Sequence, residues 1–136
     1  MNRRILFAYQ LLTGASDTAT GALLIVAPEL TLGLMRLHVP ADALPFVSFI
    51  GAFVFSVGLA CLYGAYLAWC SAEKSKLEMV WLLTAFTRSA VAIVVLQQIM
   101  AGALEAGWLT VAISDGTIVV IQAVGLRRGW LANASR

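Results

Sequence analysis

The chain has 136 residues, 61% of them hydrophobic and 12% charged, with a formal net charge of +2. Its length allows one domain, and its charged fraction is about half the usual 25% of a soluble domain, which points to a membrane protein. The basic residues stand at the ends of apolar runs and form no patch, so no nucleic-acid partner is expected.

Four hydrophobic segments follow one another at 5–27, 44–69, 79–100 and 107–126. Each has about the 20 residues needed to cross a ~30 Å hydrocarbon core, and helices satisfy their own backbone there. The expectation is an all-α, four-transmembrane-helix bundle filling 1–136 as one integral-membrane domain. The lipid bilayer is its first partner, and a multi-pass place in a cell membrane, the bacterial inner membrane, follows. Arg3, Arg4, Lys74, Lys76, Arg127, Arg128 and Arg136 fall on one side and Arg36 alone on the other. The positive-inside rule then places both termini in the cytoplasm. Trp69, Trp81, Trp108 and Trp130 lie near the segment ends, as an aromatic belt does.

The start, Met1-Asn-Arg-Arg, resembles a signal peptide, but the run that follows is too long and too often interrupted by polar residues. It reads as a first transmembrane helix. Gln10, Thr13, Asp17 and Thr20 are spaced to share one face, with Gly14 and Gly21 beside it for close approach of a neighbour. The seam reads equally as helix glue and as the lining of a ligand or proton site.

In the first loop, Pro28 and Glu29 suit a helix start, and Leu30, Leu34 and Leu37 recur at helical spacing. A short interfacial helix is expected there. His38 is the single histidine, which excludes bis-histidine haem ligation within the chain. It reads as a surface residue.

The second segment is uncharged. Ser48, Ala52, Ser56, Ala60, Gly64 and Ala68 form a small-residue ladder, with Gly51 and Gly58 beside it. The ladder predicts a close helix crossing, within the chain, in a homo-oligomer or in a larger membrane complex. Cys61 and Cys70 have no metal-ligand neighbours and are not placed for a disulfide. No metal and no cofactor are expected.

The third segment puts Trp81, Thr84 and Arg88 on one face, and the fourth puts Asp115 and Gln122 seven residues apart. Asp17, Arg88 and Asp115 each lie near the centre of their own apolar run. A charge at mid-bilayer costs roughly 2.5–3.5 kcal/mol on insertion scales, so three that agree in depth predict one cluster. If Arg88 neutralises one carboxylate, the other is left over: protonated, shared as a coupled pair, or reserved for a cation or a proton-donating ligand. Ser16-Asp17 and Ser114-Asp115 repeat a hydroxyl beside a carboxylate, read as two answers to one requirement.

Four short helices, inward termini, the glycine-rich run Phe49-Ile-Gly-Ala-Phe-Val-Phe-Ser-Val-Gly-Leu59 and an arginine in the third segment resemble the DoxX-like group of small bacterial membrane proteins. The resemblance spans most of the chain by pattern. It implies a link to redox or quinone-linked systems and transfers no catalytic residues.

Three functional expectations result. The first is binding of a small hydrophobic molecule, a lipid or a quinone, at a site of Gln10, Thr13, Asp17, Thr20, Thr84, Arg88, Asp115 and Gln122. Asp17, Arg88 and Asp115 are then also the candidates for acid–base catalysis. The second is an accessory subunit whose cluster serves assembly. The third is a proton- or cation-coupled transporter. Whether the chain is an enzyme stays open.

Overall fold

A computed structural model of the chain describes residues 2–71 and 73–132. Among these residues every regular element is helical: α1 (Arg3–Val26), α2 (Pro28–Leu34), α3 (Leu44–Trp69), α4 (Lys74–Met100) and α5 (Leu109–Arg127). Short 3-10 turns, Ala41–Ala43 and Ala106–Trp108, lead into α3 and α5.

Local chemistry sets the helix ends. Asn2 caps α1 by accepting a hydrogen bond from the Arg4 amide at 3.1 Å. The helix stops at Ala27 because the residue before a proline is pushed out of the helical region, and Pro28 then starts α2. Gly102 and Gly129 take left-handed backbone angles just past α4 and α5. Their following residues, Ala103 and Trp130, bond back to the Gln98 and Gly125 carbonyls at 2.9 Å.

Two segments differ from expectation at their starts. α4 begins at Lys74 rather than 79, because a hydropathy boundary marks entry into apolar sequence, not the first helical turn. A Lys74–Glu78 ion pair of 3.0 Å spans that polar first turn. α5 begins at Leu109, with Gly107 in the preceding turn. Arg136 lies outside the described residues.

Three stretches, Ala41–Trp69, Lys74–Met100 and Ala106–Arg127, are long and apolar enough to cross a membrane. α1, with 24 residues, is long enough but less apolar, because Gln10, Thr13, Ser16, Asp17, Thr18 and Thr20 interrupt it. Phe46, Phe49, Phe53, Leu83 and Phe86 are all exposed. So large an apolar surface suits lipid rather than water.

α1 and α3 are the most closely associated helices, and they run antiparallel. Leu6 meets Leu67 and Ala68 at one end, and Leu24 meets Val47 at the other. Glycines bring the two backbones together. A Cβ on Gly14 would fall 2.7 Å from the Leu62 amide nitrogen, and one on Gly51 2.7 Å from Leu24 Cβ. Cβ atoms on Gly21 and Gly58 would meet the Phe55 and Thr18 backbones. Gly14 and Gly21 are seven residues apart, as are Gly51 and Gly58, so the contact recurs every two turns.

Within the chain, only part of the ladder packs against a neighbouring helix. Its members Gly64 and Ala68 are buried, but Ala52 and Ser56 are exposed. A spacing of four drifts around the helix, so one end of the ladder meets α1 and the middle turns away. Ser56 and Ala60 instead line a groove of about 260 Å³ between α3 and α4, with Phe53, Val57, Leu83, Thr84 and Thr87.

α4 and α5 form the second antiparallel pair. The backbone of α1 approaches neither α4 nor α5, and the two pairs meet through α3 and α4 and through side chains. Leu6, Leu67, Ala68, Leu77, Trp81 and Leu131 close the end near the α3–α4 turn. At the opposite end, Leu24, Leu32, Leu37 and Val47 gather beside Trp108. The helix foreseen in the first loop is α2, but Leu32 and Leu37 turn inward while Leu30 and Leu34 are exposed. Trp81 corrects the aromatic-belt expectation. With α4 starting early, it sits two turns into the helix at 0% exposure, packed on Gly125 and Tyr9.

Candidate functional site

Along α4, Leu77, Trp81, Thr84, Arg88 and Ala92 recur at helical spacing, and all are buried. Arg88 therefore points between the two helix pairs. Its Nη2 donates to Asp17 Oδ2 of α1, and its Nη1 donates to Asp115 Oδ1 of α5. The Arg88 side chain is 6% exposed, and those of Asp17 and Asp115 are 19% and 15%. The three charges foreseen at one depth do meet.

Of the alternatives open for the second acid, sharing of Arg88 is the one this geometry fits. The guanidinium has two terminal nitrogens, and each donates to one aspartate. With all three groups ionised the bridge carries one net negative charge, and neither carboxylate is the spare one. The cluster lies where no backbone of α1 approaches α5, and the two carboxylates are its partly open members. The serines beside the aspartates serve their own helices or the outside: Ser114 donates to the Val111 carbonyl at 2.9 Å, and Ser16 is exposed.

A polar layer lies on the side of the cluster nearer the α3–α4 turn. Gln122 donates to Thr84 Oγ1 at 2.9 Å, and that hydroxyl donates on to the Val80 carbonyl at 2.8 Å. Gln10, at 0% exposure, lays its amide against Gly64, where a Cβ would collide with it. Of the foreseen residues, Gln10, Asp17, Thr84, Arg88, Asp115 and Gln122 thus form one column. Thr13 turns back onto the Tyr9 carbonyl at 2.8 Å. Thr20 is half-buried with no bond to the cluster among the described residues.

Two residues join the column without having been foreseen. Tyr9 stacks at a tilt on Trp81, with ring centroids 5.6 Å apart, and its hydroxyl lies within electrostatic reach of Asp17 and Arg88. The Cys61 thiol, 1% exposed, lies within reach of Arg88. Tyr9 stands two turns before Asp17, a helical spacing that was available as a signal. Cys61 had no such signal, because its place depends on how α3 meets α1.

A carboxylate–guanidinium–carboxylate bridge can hold a proton on one acid, accept a hydrogen bond from a ligand, or exchange one for the other. His38 is far from this chemistry, exposed and 4.0 Å from Glu105. No family model matches the chain, and no curated protein or solved structure matches it either.

Proposed function

We propose that the chain is a four-span membrane protein, with both termini in the cytoplasm, that binds a small hydrophobic molecule at the Asp17–Arg88–Asp115 cluster. α1 is the fourth span in this reading, since it runs antiparallel to α3 from Leu6 to Leu24. The ligand is a lipid or a quinone-like molecule whose polar head donates a hydrogen bond to the cluster. The DoxX-like affiliation is proposed with it, on the glycine-rich α3 and the α4 arginine.

The observation that carries the reading is the bridge itself. Two carboxylates share one guanidinium, leaving one negative charge unanswered, and both stay partly open where α1 and α5 stand apart. A purely structural ion pair needs a single acid. The residual charge stabilises a donor that reaches it from the bilayer, and the same acids can pass a proton to it.

Thermal unfolding of purified protein with fractions of a bacterial lipid extract tests this. A ligand at a hundred times its Kd stabilises the wild type by about 2.7 kcal/mol. The Asp115→Asn variant, whose cluster is neutral, should lose that increment. Equal stabilisation of both proteins by every fraction would sink the reading and favour the accessory-subunit role.

A further inference from the structure

Beneath the cluster the interior is polar, sealed and incompletely bonded. The Tyr9 hydroxyl, Gln10 Nε2, Trp81 Nε1 and Arg88 Nε are buried donors with no hydrogen-bond partner among the described residues. Gln10 Oε1 and Gln122 Oε1 are buried acceptors in the same condition. Gln10, Trp81 and Gln122 are each 0% exposed. Buried polar groups are nearly always satisfied, so a group of this kind calls for something that bonds to it.

Their order along the helices places them together. On α4, Trp81 and Thr84 lie between Leu77 and Arg88; on α1, Tyr9 and Gln10 lie between Leu6 and Asp17; on α5, Gln122 lies beyond Asp115. Below them Leu6, Leu67, Leu77 and Leu131 close the column, none above 4% exposed. Neutral amides, an indole and a phenol in mixed donor and acceptor roles suit neither a metal ion nor a compact anion. Gln10 already fills the space at Gly64, so single small molecules fit best. A water needs only two to four polar partners and about one probe sphere of room.

We propose that Tyr9, Gln10, Trp81, Thr84 and Gln122 form a buried hydration site, whose waters connect the Asp17–Arg88–Asp115 bridge to the apolar plug and carry its proton. This rests on the reading of the cluster as a working site and adds the route by which it is charged and discharged. When an aspartate carboxyl gives its proton to the adjoining water, that water passes one on, and a carboxylate paired to Arg88 remains.

Hydrogen exchange read by NMR on ¹⁵N-tryptophan protein in detergent, with no added lipid, tests the site. The Trp81 indole signal is identified by its loss in Trp81→Phe. A hydrated layer gives that indole a cross-peak to water and exchange with deuterium well before the Trp81 backbone amide, which is held in α4. Gln10→Leu and Gln122→Leu should each slow the indole exchange severalfold while leaving the backbone amide unchanged. An indole protected as long as its own amide, or one indifferent to both glutamine variants, would overturn the proposal. Because no lipid is added, failure here is separate from failure of ligand binding, which the unfolding titration reads.

Discussion

The Arg88 bridge makes a quantitative demand on three substitutions. In Arg88→Leu two carboxylates remain within the protein, facing one another with no cation. Breaking a buried pair in this way costs on the order of 3–5 kcal/mol. Asp17→Asn and Asp115→Asn are different, because Arg88 keeps one charged partner and the new amide oxygen still accepts from the freed nitrogen. Each replaces an ion-paired hydrogen bond by one from the guanidinium to a neutral amide oxygen, a difference of about 1 kcal/mol. The carboxylates are also similarly buried, at 19% and 15% side-chain exposure, so the two losses should be nearly equal. Melting temperatures in one detergent measure all three. An asparagine variant that melts like the wild type, beside another that falls as far as Arg88→Leu, would mean a simple pair with a spare acid and would refute the shared bridge.

The helix contact gives a contrast within α3. Gly58→Leu drives a side chain into the Thr18 backbone and should lower stability by at least the 1–3 kcal/mol typical of overpacking, whereas Ser56→Leu, on an exposed position, should be nearly silent in the same melt. Thr84→Val removes the oxygen that receives Gln122 and should cost about 1–3 kcal/mol; a wild-type melting temperature would show that Gln122 has another partner. Cysteines placed at 38–42 should react with an impermeant reagent from outside the cell and those at 73–76 should not. The opposite pattern would overturn the orientation.

Much of this architecture was legible because charges are rare in a bilayer. Asp17, Arg88 and Asp115 stood out at one depth, and they meet. The long helices were legible for the same reason, since apolar runs of this length have few other uses. What escaped depended on pairing. The small-residue ladder of α3 looked continuous at spacing four, but the contact is made at spacing seven, Gly51 and Gly58 against Gly21 and Gly14. That match exists only between two segments, and no single segment displays it. Trp81 was misplaced because hydropathy dates a helix from its first apolar residue, and α4 begins five residues earlier. Two acids beside one base left pairing and sharing both open, since sequence does not show which acid each guanidinium nitrogen meets.

On the proposed reading, the bridge receives a hydrophobic ligand from the bilayer. Native mass spectrometry of the protein released from mild detergent tests it most directly. A wild-type population should retain one small non-protein molecule, and that population should be lost in Asp17→Asn and in Asp115→Asn under the same release conditions. Retention of the same molecule to the same extent in both variants would contradict it, because the ligand would then be held without the charge that defines the site.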